Sequence, residues 1–392
     1  MSEPPQDLPS QSGANSRSGA RAGIRRPQPV SNEELARVVA RYPTVGRIEK
    51  RGGDKTGRRS AGLLFETETG GRYFLKKRIQ SVHPKESVLW RHRVISHLVA
   101  KGFSTPAITE NEAGETLTED GEVQYELFEA AHGQDIYHDY ESWTPFSRRD
   151  HARSAGEALA RFHNELRDFS LADATPPGTS PATPETARFD LGFAPDLPAA
   201  VERRISASPA LSEFFSNIRW KEEISGLYLN FHGEARRYMA GVQPWVTHGQ
   251  WQANNLFFEH DRVASVVGFD LVDVAFRMYD LAAAVDKNAV LWTEIAAGQP
   301  NAVRFDVIEE LLRGYCSLLP VSMVEAELLG AVLPIHHLDW ALSGVEYALV
   351  HEASRERAQW YYNVYLRDHV RHYHTPSGQK ILSFLRHAAA AG

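Results

Sequence analysis

The dipeptide Gly70-Gly71 places the first firm constraint on this chain. The run Ala61-Gly62-Leu63-Leu64-Phe65-Glu66-Thr67-Glu68-Thr69 before it reads as a strand, and Arg72-Tyr73-Phe74-Leu75-Lys76-Lys77-Arg78 reads as its return. Paired glycines supply the positive-φ residues that a tight hairpin turn needs. Glu86 to Lys101 then carries helical spacing, with Val88, Leu89, Val94, Ile95 and Leu98 on one side and Gly102 as its stop. A further strand runs from Val123 to Phe128 into the linker Glu129-Ala130-Ala131-His132-Gly133. From Arg149 onward the period is helical: Arg149 to Leu166, Leu211 to Met239, Asp280 to Ile295, Asp306 to Leu319, Val324 to Leu333, His336 to Arg355 and the Trp360 to Arg371 region. The expectation is an α+β chain, with a strand-rich lobe over 35–131 and a larger helical lobe over 132–392. Pro176, Pro177, Pro181 and Pro184 make 169–190 a loop or insertion. Residues 1–30 hold almost no large apolar side chain and read as a disordered tail, whose Arg21, Arg25 and Arg26 are solvated or meet an anionic partner. No internal repeat is present.

Composition narrows the class. The 392 residues suffice for two domains or two lobes. A net charge of −7 gives no general attraction to nucleic acid or an anionic membrane, so neither is expected as a partner. The single cysteine, Cys316, excludes an internal disulfide and a cysteine metal cage. No run approaches the roughly 20 apolar residues of a membrane span, and the N-terminus has no apolar signal core. The expected location is cytoplasmic.

Two later segments carry chemistry: His248-Gly249-Gln250-Trp251-Gln252-Ala253-Asn254-Asn255 and Val266-Val267-Gly268-Phe269-Asp270. They follow Phe74-Leu75-Lys76, Gly102-Phe103-Ser104-Thr105-Pro106 and Gly156-Glu157-Ala158-Leu159-Ala160-Arg161-Phe162-His163, and precede Tyr279-Asp280-Leu281-Ala282. In that order, over roughly residues 40–350, the chain resembles the aminoglycoside phosphotransferase and choline kinase superfamily of protein-kinase-like enzymes. The resemblance implies a two-lobed protein-kinase-like fold, with a small antiparallel-sheet N-lobe and a mainly helical C-lobe. It also implies ATP and Mg²⁺ as cofactors and a small-molecule hydroxyl as acceptor. By the same resemblance Lys76, Phe128, Ala130 and Asn255 contact the nucleotide, and Asn255 and Asp270 hold the metal. His248 and Asp280 would shape the loop, with Asp280 also capping the helix that follows it.

The sequence departs from the pattern at the reacting positions. The family loop reads H-G-D-x-x-x-x-N, and Gln250 stands at the aspartate. The metal segment reads V-I-D-F-D, and Gly268 stands at its first aspartate. An amide accepts a hydrogen bond but takes no proton near neutral pH, and losing a general base typically costs about 10²–10⁴ in rate. Glycine offers Mg²⁺ nothing, although that ion usually takes one or two carboxylates. Asp273 is the substitute carboxylate, but its odd spacing from Asp270 turns it to the other side of a continuing strand. Lys76 normally pairs with a helix glutamate; Arg91 falls there and would repel it, with Glu86 the substitute if the helix is shifted. Alternation sends either Lys76 or Lys77 away from the cleft.

Other groups are less specific. Arg51-Gly52-Gly53-Asp54-Lys55-Thr56-Gly57-Arg58-Arg59 is either a phosphate-covering loop or an ordinary hairpin. Trp245, Trp251, Trp340 and Tyr347 line an organic or cationic ligand or simply pack in the core. Asp339 and Glu346 contact a cationic substrate or are solvated. His336-His337 and His372-x-His374 have no adjacent carboxylate and point only faintly to metal. Three readings follow. One is a degenerate kinase (pseudokinase) binding a nucleotide, metabolite or protein partner. Another is an active ATP-dependent phosphotransferase using Asp270 or Asp273. The last is a different reaction in the inherited cleft, with Gln250 and Asn255 as hydrogen-bonding groups.

Overall fold

The computed structural model describes residues 27–56, 60–81, 83–138, 143–170 and 190–391. It opens with α1 (Asn32–Val39), β1 (Ile48–Thr56), β2 (Ser60–Thr67), β3 (Arg72–Ile79), α2 (Lys85–Ala100), β4 (Thr118–Asp120) and β5 (Val123–Glu129). The five strands form one sheet in the order β1-β2-β3-β5-β4, every neighbouring pair antiparallel. Leu63, Phe65, Leu75, Tyr125 and Leu127 project from one face and bury Leu35, Val38 and Val39 of α1 in a small core.

Helices follow: α3 (Arg149–Glu165), α4 (Asp190–Phe193), α5 (Leu197–Ala207), α6 (Pro209–Phe215) and α7 (Trp220–Met239). Next come the short strands β6 (Trp245–Thr247), β7 (Leu256–Glu259), β8 (Arg262–Val266) and β9 (Asp273–Ala275), paired β6 with β9 and β7 with β8. The remainder is α8 (Arg277–Asn288), α9 (Trp292–Ala296), α10 (Phe305–Cys316), α11 (Met323–Val350), α12 (Arg355–Tyr361), a π-helical turn (Tyr362–Asp368), α13 (His369–Tyr373) and α14 (Pro376–Ala391). These helices share one large core, and α2 contributes Trp90, Val94, Ile95 and Leu98 to it. The connector α2 is therefore anchored in the helical core while its start adjoins the sheet. Among the described residues, no helix is long and apolar enough to cross a membrane.

Several element boundaries differ from the sequence expectation. The Gly70-Gly71 turn does join β2 to β3, with Gly70 at φ 80. The basic stretch from Arg51 is not a free loop: residues 51–56 lie in β1, which bulges between Arg51 and Asp54, and Arg51 is spent on Asn32, the Val30 carbonyl and Asp54. Positions 57–59 lie outside the described residues, as do 1–26 of the tail and 171–189 of the Pro-rich segment. Leu211 to Met239 is two helices, because Ser216 and Asn217 form a turn between α6 and α7. The two helices expected over 324–355 are one, α11, which runs through Pro334 because its residues are buried on nearly every side. Packing there outweighs the lost N–H. The Ser31 capping box with Glu34 starts α1, a signal the strand-centred reading passed over, and α14 was not anticipated.

Candidate functional site

Alternation along β3 decides which cations meet. Leu75 enters the small core and Lys77 pairs with Glu34 of α1 at 2.7 Å, so Phe74, Lys76 and Arg78 share the opposite face. The β3–β5 register sets Phe128 opposite Phe74, and Glu126 opposite Lys76. That face thus presents two rings beside a cluster of charge.

The cluster closes on Asp270. Lys76 Nζ lies 2.8 and 3.0 Å from the two Asp270 carboxylate oxygens. The Arg78 guanidinium, almost fully buried, donates to both Asp270 and Glu126. Arg91 Nη1 donates to the Asp270 carbonyl at 2.7 Å, and its Nε to the Ser87 carbonyl at 3.1 Å. His92 joins Glu126 at 2.9 Å and Thr116 at 2.8 Å. Arg91 is therefore engaged with the Asp270 main chain, and Glu86 is exposed. The carboxylate that the helix lacks comes from β5, as Glu126, and serves Arg78. Burial alone would push the Asp270 carboxyl up, but Arg78, Lys76 and Arg91 outweigh it and hold it well below the usual range. Glu126 behaves likewise under Arg78 and His92. Burial and the adjacent Arg78 lower Lys76, against the opposing pull of Asp270. Three cations thus face two carboxylates.

The loop after β6 is built on Asp280. Its carboxylate accepts the His248 N–H at 2.6 Å and the Gly249 N–H at 2.7 Å, and takes His163 Nε2–H at 3.1 Å. Asp280 lies within the first turn of α8 and does not cap it; Phe276 is the N-cap residue and makes no side-chain cap bond. His248 Nε2–H donates to the Val267 carbonyl at 3.0 Å, tying the loop to the Gly268 segment. Burial lowers the His248 pKa, keeping it neutral. Asn288 of α8 accepts the Ala253 N–H at 2.9 Å and donates to the Trp251 carbonyl at 3.0 Å. Gly249 has φ 74, and a Cβ there would lie 2.3 Å from the Leu271 carbonyl oxygen, so only glycine fits.

The two positions expected from the sequence to carry the chemistry look different. Gln250 is half-buried, and among the described residues its side-chain amide makes no hydrogen bond, while its main-chain carbonyl accepts Asn255 Nδ2–H at 2.9 Å. Gly268 has φ 84, and a Cβ there would meet the Asn255 amide at 2.5 Å. The Asn255 side chain has filled the space beside Gly268. Phe269–Leu271 is a 3₁₀ turn, so strand alternation does not govern Asp273; its Oδ1 accepts the Val274 N–H at 2.8 Å within the β6–β9 pair. The same turn brings the Asp270 carboxylate to Lys76. Phe128 packs edge-on against His92, and the Ala130 N–H is donated to the Arg72 carbonyl at 2.9 Å.

The remaining candidates do not gather into one pocket. Trp245 lies under the Arg277 and Arg167 guanidiniums, Trp251 is buried against Phe162 and His248, and Trp340 faces Lys287. Tyr347 packs on His351, and Asp339 and Glu346 are buried on α11, not solvated. Arg78, Glu126 and His92 were missed. Counting two residues from Lys76 would have found Arg78, whereas Glu126 and His92 become visible only once β5 and α2 are placed.

Comparison with known proteins bears on the family and the fold. A family model described as the phosphotransferase enzyme family matches residues 56–316. No curated protein matches. An amicoumacin kinase solved with AMP-PNP, Ca²⁺ and Ami superposes with a TM-score of 0.55 at 11% identity, covering 92% of this chain and 93% of that one. An aminoglycoside phosphotransferase from Alicyclobacillus acidocaldarius gives 0.55 at 15% identity, over 95% and 100% of the two chains. A spectinomycin phosphotransferase solved with ADP and its antibiotic gives 0.52 at 11%, over 92% and 100%. At these identities the likeness is one of fold: the five-stranded sheet and helical part are the two-lobed, protein-kinase-like plan.

Proposed function

The chain belongs to the phosphotransferase enzyme family, and from that premise we propose that it is a degenerate kinase whose cleft binds a nucleotide or metabolite anion without a divalent ion. It carries out little or no phosphoryl transfer. The observation that carries this reading is the state of Asp270: its carboxylate is held by Lys76 and Arg78, while position 268 is a glycine packed on Asn255. Phosphoryl transfer relies on a metal bridging the phosphates and on a base or orienting group at the nucleophile. Mg²⁺ would have to displace two cations to reach one carboxylate, and Gln250 takes no proton. The three cations supply a metal-independent counter-charge for an anion, and Phe74 and Phe128 offer rings for a flat base. The AMP-PNP and ADP complexes of fold relatives support a nucleotide as the first ligand to try.

The second reading, an active phosphotransferase acting on a small-molecule hydroxyl, is favoured by one contact: Asp270 is the carboxylate at the phosphate-binding Lys76. Thermal shift of the full chain with ATP or ADP, in Mg²⁺ and in EDTA, separates the two, alongside ATP turnover on hydroxylated acceptors. A bound ligand present at 100 times its Kd stabilises by about 2.7 kcal/mol. The expected result is a shift of similar size with and without Mg²⁺ and no turnover. A shift that requires Mg²⁺, accompanied by turnover, replaces this proposal with the second reading. No shift with any nucleotide leaves a protein partner or a different reaction as the role of the cleft.

A further inference from the structure

Three helices, among them the α8 that holds the 248–255 loop, bring nitrogen and oxygen donors to one point. Asp286 of α8, His337 of α11 and His369 of α13 are all buried, and one donor atom from each lies within 4.8 Å of the others. His337 Nε2 already stands 3.2 Å from Asp286 Oδ1. A tetrahedral zinc site with bonds of about 2.0–2.1 Å spaces its donors roughly 3.4 Å apart, so the three donors need only draw together by about an ångström to complete the set.

The polar accounting here is unusual for a dry core. His337 Nδ1 and His369 Nδ1 are buried with no hydrogen-bond partner, and Asp286 Oδ2 has only His336 Nε2 at 3.5 Å and Lys287 Nζ at 3.6 Å, beyond good hydrogen-bond geometry. Native interiors seldom leave such groups unpaired, and three in one cluster ask for an ion. The surroundings are arranged as supports for ligands. Trp292 Nε1–H donates to Asp286 Oδ1 at 2.7 Å, and the Trp292 ring stacks on His369 at 3.8 Å with the planes 7° apart. Outer contacts of this kind fix ligand orientation in metal sites. His336 Nε2 lies 3.5 Å from Asp286 Oδ2, as a further imidazole neighbour of that carboxylate. Lys287 Nζ also lies 3.6 Å from that oxygen, but its charge is shared among the rings of Trp340, Tyr365 and Trp143 at 4.8, 5.1 and 5.2 Å. Asp286 is therefore not its sole electrostatic partner.

We propose that Asp286, His337 and His369 form a structural site for a borderline transition-metal dication, Zn²⁺ foremost. Two imidazoles and one carboxylate suit zinc or cobalt and not Mg²⁺. The ion would clamp α8, α11 and α13 together, and α8 is the helix whose Asp280 and Asn288 hold the loop. The inference is independent of what the cleft binds.

The test is metal content by mass spectrometry of the full chain purified without chelators, followed by Co²⁺ titration of metal-stripped protein. The expected outcome is near one equivalent of Zn²⁺, visible d–d bands for bound Co²⁺, and a Tm lowered by stripping and restored by Zn²⁺ but not Mg²⁺. His369→Ala should abolish the cobalt spectrum, and His337→Gln offers a milder variant if that one folds poorly. Substoichiometric metal, no cobalt bands and a Tm indifferent to Zn²⁺ would overturn the site.

Discussion

Gly249 and Gly268 both lie at positive φ, yet for different reasons, and substitution should separate them. A side chain at 249 collides with the rigid Leu271 carbonyl, whereas one at 268 meets only the end of the Asn255 side chain. Gly249→Ala should cost more than about 3 kcal/mol and Gly268→Ala about 1–2 kcal/mol from backbone strain, compared by urea unfolding; equal costs would refute this distinction. The same geometry bears on restoring the family residues. Gln250→Asp with Gly268→Asp gains nucleotide hydrolysis only if Asn255 swings clear. Asp270 is the other informative residue. Asp270→Asn leaves Lys76 and Arg78 without their shared carboxylate, and because that side chain is 25% exposed the loss should fall near the low end of the buried-pair range, about 3 kcal/mol. If the cations are the anion site, the same variant binds ATP more tightly in EDTA than the parent does; weaker binding by calorimetry would remove the cations from that role. Sequence reading located Lys76, Asp270, His248 and Asp280, because each sits in a spaced motif. It missed Arg78 and Glu126, because their meeting depends on strand register.

The helix pair α3 and α10 shows how an element is placed by what it lacks. A Cβ on Gly156 would lie 2.0 Å from the Leu311 carbonyl, and one on Gly314 would lie 2.0 Å from the Arg153 carbonyl. The two backbones touch through reciprocal glycines, and this contact carries His163 to Asp280 and Tyr315. Gly156→Ala should therefore destabilise by about 1–3 kcal/mol or more through overpacking, and should lower the Tm more than Gly226→Ala, where a Cβ meets open space. A smaller shift at 156 would contradict the close crossing. The apolar side of α3 was legible from its period, but the crossing distance was not. Likewise local propensity divides α11 at Pro334, because the burial that overrides it is not local.

At the scale of the whole molecule, buried titratable groups tie stability to pH. Burial lowers the pKa of His163 and His248 from the ordinary 6.5, in both cases against the pull of Asp280. The unfolded chain then binds more protons below that value, so their contribution is full above pH 6.5 and is lost as pH falls beneath it. Asp270 and Glu126 are depressed carboxylates, so their contribution persists above their ordinary 3.8 and 4.5 and is lost further into acid. Unfolding free energy should thus be level between pH 7 and 8, decline by up to about 1.4 kcal/mol per pH unit for each histidine below 6.5, and decline again below 4; a flat profile from pH 7 to 5 would exclude the histidine part. The sequence by itself determined the succession of a strand-rich part and a larger helical part, the Gly70-Gly71 hairpin, and the two motif segments in which Gln250 and Gly268 stand. These are encoded by neighbours along the chain, through period, turn residues and spacing. The tertiary structure alone decided that Asp270 is locked by Lys76 and Arg78, that Asn255 fills the space beside Gly268, and that Asp286, His337 and His369 converge. Each of those joins residues tens to hundreds of positions apart, whose distance is set by sheet register and helix packing and has no local signature.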